Sequence, residues 1–403
     1  MRQAWRFDAP GRERGLSGPV IADGLAVAVG RDGVYAVHLA DGSLAWKLAR
    51  GGGPKIAQPA VADVGGRSVV VFTEGGRAKD SLLRAYDLKD RKHLWDVRLQ
   101  DVSASGVAVD GDRAFLGDRS GTLYAVDLKA GSILWKFNGE GVIGSPPAVA
   151  DGRVYAVTIN SSTNAAELVG TDESTGKGAR TFAPSQLAVF GTSPTIVDGS
   201  VIVGFGDRSV YAVDGRTGAS RWSSEVPAAF SPLASGARLG HDVVMAATLP
   251  LSTGTGLYRL AGTTGTRRWW FQFDSFSREG SPVVTGRFVL VGLDDGRLAA
   301  VDGRTGREVW QLGTGHGEVG PIAIGGDEVV AAKGGAHGGL VGFVPDSSGQ
   351  LVDVESPTVL HLGTSLLNFV VAFVGVAGVV LVAAAVVATL RGRRRGGREA
   401  EPA

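Results

Sequence analysis

Apolar and polar residues alternate with a period of two through most of this chain. In the phrase VYAVDGRTGASRW, Tyr211 and Val213 alternate with Ala212 and Asp214. This alternation predicts β-strands, because a helix repeats its apolar face about every 3.6 residues. The turn DGRTG carries a glycine that can adopt a positive φ, so the whole phrase predicts a β-hairpin.

The hairpin phrase recurs along the chain at intervals of 40 to 49 residues. A second strand pair precedes each hairpin, as in Ser145–Thr158 and Ser281–Gly296, so each repeat predicts four strands. A period in the forties is typical of propeller blades or helical repeats, and the strand alternation favours blades. Two weaker copies place Arg180 and Asp353 at the position of the closing tryptophan. The tryptophans that close the other copies are Trp46, Trp95, Trp135, Trp222, Trp269 and Trp310.

The phrase LYAVDLKAGSILWKF, Leu123–Phe137, resembles the repeat of the quinoprotein (PQQ-like) β-propeller superfamily. We therefore predict an all-β, PQQ-like β-propeller over residues 1–354, with eight four-stranded blades and seven as the alternative. The resemblance implies that each closing tryptophan docks between adjacent blades, near the glycine turn of its neighbour. These six tryptophans are thus predicted to be structural and not ligand-binding.

The N-terminal segment QAWRFDAPG is similar to LWKFNGEG, the outer-strand sequence around Trp135. This similarity predicts that Trp5 lies on an outer strand that completes the last blade and closes the ring. Ring closure by a strand from the other end of the chain removes a free sheet edge.

The alternation ends after Glu355, and the stretch Leu362–Leu390 has no charged residue. Twenty residues of a helix span the roughly 30 Å hydrocarbon core of a bilayer, so we predict a transmembrane helix at 364–390. A short linker at 355–363 precedes it, and an arginine-rich tail at 391–403 follows.

The arginines of the tail favour a cytoplasmic C-terminus and an extracytoplasmic propeller. The first fifteen residues lack the apolar segment of a signal peptide, which supports a cytoplasmic propeller as the alternative. The chain also begins within a repeat, so we expect that a leader is missing from this sequence.

Composition excludes several classes of site. The chain has no cysteine, so it cannot form a disulfide, a thiolate nucleophile or a cysteine metal site. The formal net charge is +1, and the tail supplies more positive charge than that, so the propeller is slightly acidic. A basic face is required for phosphate binding, and nucleic acid is therefore not an expected partner.

Catalytic chemistry is not indicated by any motif. The dehydrogenases of the superfamily pair their quinone with Ca²⁺ held by carboxylate and amide oxygens and stack it on a vicinal disulfide. No disulfide is available here, and we expect no enzyme activity, no PQQ and no calcium. The six histidines are scattered, and the formal G-x-G-x-x-G at Gly315, Gly317 and Gly320 precedes Pro321 and a strand where a dinucleotide site needs a helix.

One irregular stretch, WWFQFDSFSREG, adds aromatic residues beyond the closing tryptophan. Clustered aromatic side chains are typical of binding hot spots, so Trp270, Phe271, Phe273 and Phe276 are candidate partner-binding residues for a peptide, glycan or protein. The alternative is that this outer strand packs Trp270 on a neighbouring blade.

These observations together predict a membrane-anchored, non-catalytic propeller. The resemblance is closest in style to membrane-associated propellers of the outer-membrane assembly type, which implies a protein-binding scaffold or assembly factor at the cell envelope. A ligand- or glycan-binding sensor is the first alternative, and a PQQ-dependent dehydrogenase is the second. The partner could be protein or glycan, and the membrane is reached through one helix.

Overall fold

The structure is a computed structural model. It describes residues 1–345 except 12, 51–56, 76–80, 104, 161, 164, 185–190, 227–234, 250–253, 278–280, 316 and 336. The described residues belong to one compact unit, Met1–Val354. No helix among them is long and apolar enough to cross a membrane. The linker at 355–363, the predicted membrane helix at 364–390, the tail at 391–403 and Asp353 lie outside the described residues.

The described strands form eight four-stranded antiparallel sheets, which confirms the prediction of an eight-bladed, all-β propeller. The first strands of neighbouring sheets contact one another in a closed series, and β30 (Val319–Gly325) contacts β2 (Val20–Ala22) to complete it. We number the blades from the sheet that begins with β2. The innermost strands are β2 (Val20–Ala22), β6 (Ala60–Asp63), β10 (Ala108–Asp110), β14 (Ala148–Ala150), β18 (Thr195–Val197), β22 (Ala237–Leu239), β26 (Val283–Thr285) and β30 (Val319–Gly325).

Three further strands extend each blade outward from the centre. The second strands are β3 (Leu25–Val29), β7 (Ser68–Glu74), β11 (Arg113–Gly117), β15 (Arg153–Ile159), β19 (Ser200–Gly204), β23 (Asp242–Thr248), β27 (Phe288–Gly292) and β31 (Glu328–Lys333). The third strands are β4 (Gly33–His38), β8 (Leu82–Asp87), β12 (Thr122–Asp127), β16 (Ala166–Asp172), β20 (Ser209–Asp214), β24 (Thr255–Ala261), β28 (Arg297–Asp302) and β32 (Gly339–Val344). The outer strands are β5 (Leu44–Ala49), β9 (His93–Arg98), β13 (Ser132–Asn138), β17 (Arg180–Phe182), β21 (Ser220–Glu225), β25 (Arg267–Phe273), β29 (Glu308–Gly313) and β1 (Arg2–Asp8).

In the third, fourth, fifth and seventh blades, an aspartate and a glycine build the turn between the third and outer strands. In the fifth blade, Asp214 accepts hydrogen bonds from the backbone amides of Arg216 and Thr217, at 3.0 and 2.8 Å. Gly218 then adopts φ +75°, a left-handed conformation that glycine reaches without a steric cost. The turn residues therefore fix the hairpin that the repeated phrase predicts.

A β-bulge sets the direction of the closing tryptophan. In the fifth blade the pairing shifts between Ala212 and Val213, and Trp222 comes to lie opposite Ala212. The small alanine leaves room for the indole ring, and the bulge turns the outer strand. The third and seventh blades repeat this alanine–tryptophan pair, as Ala125 with Trp135 and Ala300 with Trp310.

The hydrophobic core lies between neighbouring blades. One cluster joins Val71 and Leu83 of the second blade to Leu116 and Tyr124 of the third, and all four side chains are buried. Strands with two apolar faces are expected in such a stack, because each sheet is covered on both sides.

The N-terminal strand completes the eighth blade. β1 pairs antiparallel with β32, with Arg6 opposite Val341 and Phe7 opposite Leu340. The side chain of Trp5 is buried, and its indole nitrogen donates a hydrogen bond to the carbonyl of Leu39 in the first blade. The eighth blade thus contains strands from both ends of the propeller sequence.

Candidate functional site

The indole nitrogens of the closing tryptophans reach the hairpin turn of the next blade. Each of five donates a hydrogen bond to a carbonyl that lies 33 to 42 residues further along the chain. The pairs are Trp46 with Leu88 at 3.1 Å, Trp95 with Leu128 at 2.9 Å, Trp135 with Glu173 at 2.8 Å, Trp222 with Gly262 at 2.8 Å and Trp269 with Gly303 at 2.7 Å. Trp310 is also buried, and the turn that follows β32 lies outside the described residues.

A glycine lies beneath the indole ring at most of these contacts. A methyl group at Gly131 would approach Trp95 to 2.2 Å, and one at Gly265 would approach Trp222 to 2.5 Å. Both glycines have a positive φ. In the second blade Arg91 occupies this position with φ 57°. The geometry places these tryptophans between blades, away from any cavity at the centre of the ring.

A cavity lies at the centre of the ring, among the innermost strands. One part of it has a volume of about 610 Å³ and is lined where the chain passes from an outer strand to the next inner strand. Ser193, Ser235 and Ser281 line one side, from three successive blades, and Gln58 of the second blade lines another part. An adjoining part of about 540 Å³ is lined by apolar residues such as Val61 and Val109.

The cavity lining does not suit a quinone–calcium centre. Among the described lining residues there is no Asp, Glu, Lys, Arg or His. Calcium requires six to eight oxygen ligands, with carboxylates prominent among them. The serine hydroxyls and the single amide of Gln58 do not supply such a set. The described lining residues therefore do not fit the cofactor pair of the quinoprotein dehydrogenases.

Two histidine–aspartate pairs lie at the surface, outside the cavity lining. In the described part of the chain no three His, Asp or Glu side chains converge to hold a metal ion. His93 lies 2.7 Å from Asp96, and His241 lies 2.6 Å from Asp198, in both cases at the surface. Gly320 belongs to the inner strand β30, so the G-x-G-x-x-G sequence is not followed by a helix.

Two buried carboxylates were not anticipated from the sequence. Asp118 is fully buried and accepts a hydrogen bond of 2.7 Å from the hydroxyl of Tyr124. Glu13 is buried near the start of the chain and accepts from the Tyr35 hydroxyl at 3.0 Å. Burial and these carboxylates raise the pKa values of both tyrosines.

These buried carboxylates have structural partners. Glu13 also accepts from the backbone amides of Arg31 and Asp32, both at 2.7 Å. Asp118 accepts from the amides of Ser120 and Thr122. These amides belong to the turns between the second and third strands of the first and third blades. The carboxylates of Glu13 and Asp118 therefore hold these turns. A carboxylate shortly before the strand tyrosine is a sequence signal that could have identified Asp118.

The four candidate aromatic residues do not form one exposed patch. The side chain of Trp270 is 50% exposed and stacks on Tyr258, with ring centroids 6.4 Å apart. Phe273 is buried in the core between the sixth and seventh blades, so it is not available to a partner. Phe271 is half-buried and lies edge-on to Phe273 at 4.9 Å. Phe276 is also half-buried, which leaves Trp270 as the accessible member.

Comparison with known proteins gives one family and one fold. A sequence profile described as outer membrane protein assembly factor BamB, PQQ_2, matches residues 79–250 and 231–359. An outer membrane protein assembly factor BamB of Shewanella oneidensis is 26% identical over 221 residues, which cover 51% of this chain and 52% of the relative. The chain thus spans about half the length of the curated relative that it matches.

Solved structures share the propeller fold. The crystal structure of BamB from Moraxella catarrhalis has a TM-score of 0.64 and 18% identity, and covers 85% of this chain and 99% of that one. The quinohemoprotein alcohol dehydrogenase ADHIIG of Pseudomonas putida has a TM-score of 0.65 and 14% identity, with 89% and 78% covered. Identities this low show the fold alone, since one fold hosts unrelated activities.

Proposed function

This chain belongs to the PQQ_2 family of the outer membrane protein assembly factor BamB, and we propose that it is a non-catalytic, protein-binding scaffold of the cell envelope. The observation that carries this proposal is the family match over the propeller, from residue 79 to residue 359. Among the described residues that line the central cavity none is charged, which supports the proposal, because acid–base or metal chemistry needs ionisable groups at the reacting atoms.

The scaffold assignment is tested by its partner. The full chain, tagged at its C-terminus, is cross-linked in the envelope of its native host and purified in mild detergent. We expect one envelope protein to be recovered in near-stoichiometric amount, and its yield to fall when cross-linking is omitted. Recovery of the tagged chain alone, at native expression level, would contradict the scaffold assignment.

We further propose that the chain is anchored through residues 364–390 with its propeller outside the cytoplasm. The uncharged stretch and the arginines that follow it support this orientation. Protease added to intact cells should digest the propeller and leave a tag on the arginine-rich tail protected. A protected propeller would overturn the orientation and direct the partner search to cytoplasmic proteins.

A second candidate function is recognition of a neutral ligand in the central cavity. Ser193, Ser235 and Ser281 line the cavity together with Gln58, and uncharged polar side chains of this kind suit sugars and other neutral molecules. A ligand that binds the folded state raises the thermal midpoint. Neutral oligosaccharides should raise it only under this candidate, and quinone with Ca²⁺ should raise it only if the chain were a dehydrogenase.

A further inference from the structure

One end of the propeller displays two turns from each blade. In a four-stranded antiparallel blade, the turn between the first and second strands and the turn between the third and outer strands lie at the same end. The two turns also touch, since the amide of Gly303 donates a hydrogen bond of 2.7 Å to the carbonyl of Arg287 in the seventh blade. Each blade therefore contributes one continuous patch to this end.

Arginine is concentrated at this end in the fifth, sixth and seventh blades. Their turns, which we term the arginine surface, hold nine arginines against five Asp or Glu residues. The matching turns of the first, third and fourth blades hold five Lys or Arg against eight Asp or Glu. The formal net charge of +1 for the whole chain therefore conceals a local excess of positive charge. The arginine surface comprises residues 196–200, 212–222, 238–242, 259–269, 284–288 and 300–310, and the matching turns are 21–25, 36–46, 109–113, 125–135, 149–153 and 170–180.

The three blades present these turns side by side. Trp222 of the fifth blade donates a hydrogen bond of 2.8 Å to the carbonyl of Gly262, which lies in the turn of the sixth blade. Trp269 and Arg259 of the sixth blade both donate to the carbonyl of Gly303 in the seventh, each at 2.7 Å. The arginine surface is therefore continuous across two blade interfaces.

Four of the five acidic residues of the arginine surface are already paired with arginine. The pairs are Asp198 with Arg238 at 2.9 Å, Asp214 with Arg221 at 2.5 Å, Asp242 with Arg259 at 2.7 Å and Asp302 with Arg287 at 3.6 Å. Arg268 also lies 3.8 Å from Asp242, so that carboxylate serves two arginines. The fifth acidic residue, Glu308, accepts a hydrogen bond of 2.6 Å from the side chain of Gln311.

Four arginines of this surface have no acidic partner among the described residues, and all four are exposed. They are Arg216, Arg267, Arg304 and Arg307. In the third blade, Lys129 takes the turn position of Arg304 and pairs with Asp112 at 3.0 Å. The strand register places Arg287 of the seventh blade at the position of Asp112. The fold therefore supplies no such carboxylate to Arg304, and the guanidinium groups of these arginines are available to another molecule.

We propose that the arginine surface binds an acidic segment of the protein partner, whose carboxylates contact its four unpaired arginines. This inference rests on the scaffold function proposed above and names the surface that performs it. A guanidinium group binds a carboxylate through two parallel hydrogen bonds, and arginine is enriched among the residues that dominate binding energy at protein interfaces.

The distribution of charge favours a protein segment over an anionic membrane. A planar membrane at this end of the propeller would also meet the acidic turns of the first, third and fourth blades, which it would repel. A protein segment can contact the fifth, sixth and seventh blades without approaching the other turns. The local excess of arginine therefore matches an acidic partner of limited width.

Replacing the unpaired arginines tests the surface. The full chain, tagged at its C-terminus, carries Arg216→Ser, Arg267→Ser, Arg304→Ser and Arg307→Ser together and is cross-linked in the envelope of its native host. We expect the yield of the envelope partner to fall about tenfold or more relative to the natural chain, because the electrostatic attraction to the partner is lost. Mild detergent and equal expression levels are kept for both chains.

A matched control removes the same charge elsewhere at this end. Lys89→Ser, Arg91→Asn, Lys92→Ser and Lys177→Ser together remove four exposed cations from the turns of the second and fourth blades. Arg91 has φ 57°, and asparagine tolerates this left-handed conformation. The control should recover the partner as well as the natural chain does. Both variants should keep the natural thermal midpoint, because the replaced side chains are exposed and have no ion pair among the described residues.

An amine placed on the surface tests for a carboxylate on the partner. Arg304→Lys keeps the positive charge and introduces a primary amine, which a carbodiimide joins to a carboxylate in direct contact. We expect the peptide that contains position 304 to be joined to an Asp or Glu of the partner. The natural Lys89, at the same end in the second blade, is the internal control and should not be joined to it.

The possible failures are distinguishable. A natural chain and a control that both recover no partner would overturn the scaffold function together with this inference. Equal yields from the natural chain, the control and the four-arginine variant would overturn the arginine surface alone, as would coupling of the partner to Lys89 in place of position 304. Slower hydrogen exchange at residues 303–306 in phosphatidylglycerol vesicles than in phosphatidylcholine vesicles, without a partner present, would assign the arginines to lipid headgroups and also overturn it.

Discussion

The indole nitrogen of Trp95 donates a hydrogen bond of 2.9 Å to the carbonyl of Leu128, a residue in the next blade. Its ring lies against Gly131, three residues beyond Leu128 in the same turn. One side chain thus joins two sheets through a polar contact and a close backbone approach. The same contact between a tryptophan and a turn glycine recurs in other blades, as between Trp222 and Gly265.

Gly131→Ala should destabilise the propeller more than Gly152→Ala does. Both glycines have a positive φ, 63° and 71°, so each alanine incurs a backbone cost of about 1 kcal/mol. A methyl group at Gly131 also overlaps Trp95, whereas one at Gly152 meets open space. Overpacking of this kind costs roughly 1–3 kcal/mol more. Thermal midpoints of the two variants measure the difference. Equal midpoints would show that the overlap with the Trp95 indole does not lower stability.

Trp135→Ala should lower stability far more than Trp270→Ala. Trp135 is buried and donates to Glu173, so its removal leaves a cavity and an unpaired carbonyl, at a cost of about 3–5 kcal/mol. Trp270 is half exposed, and its removal should cost under about 1 kcal/mol in the monomer. Denaturant midpoints for both variants provide the test. Similar losses would mean that Trp270 supports the sixth blade as the docking tryptophans support theirs.

Acid stability should depend on the turn aspartate Asp172. Hydrogen bonds from Ser174 and Thr175 lower its pKa to about 2. Because the pKa of the folded state lies below that of the unfolded chain, the contribution is complete above about pH 4. It is lost as the pH falls towards 2. The stability difference between the natural chain and Asp172→Asn should therefore shrink over this interval, as measured by thermal midpoints at several pH values. A constant difference would exclude this aspartate as a source of acid sensitivity.

Trp5→Ala should loosen the closure of the ring. Trp5 is buried against the first blade and lies on the strand that pairs with β32. Its loss should speed hydrogen exchange at Gly339–Val344, the residues of β32, while the amides of β20 in the fifth blade keep their protection. Arg2→Ala, an exposed change on the same strand, is the control. Uniform exchange across all blades would indicate that the ring opens as one cooperative body.

Much of the fold could be predicted from the repeated phrase, because tryptophan, glycine and alternating strand residues each have a local physical role. The similarity of the segments around Trp5 and Trp135 also led to the closing strand, since both carry the outer-strand pattern. The part played by Glu13 could not be predicted this way. It lies in an irregular segment and reaches Tyr35 only through the fold.

The exposure of the aromatic residues between positions 270 and 276 also could not be predicted from the sequence. Alternation shows that Trp270 and Phe271 point to opposite faces, but not which face a neighbouring blade covers. The structure resolves this by burying Phe273 and leaving Trp270 accessible. That Ser193 and Ser281 line one cavity also could not be predicted from the sequence, because they are far apart in the chain and converge only when the ring closes.

The pairing of β1 with β32 has a consequence for biosynthesis. A ribosome makes β1 before the other thirty-one described strands, yet its partner β32 is the last of them. β1 therefore has no partner strand until β32 has been synthesised, after the strands of the seven other blades. The eighth blade can be completed only once the whole propeller sequence has been made. Until β1 and β32 pair, each has unpaired backbone groups that could bind another chain. The risk of aggregation during synthesis therefore depends on how fast these two strands pair.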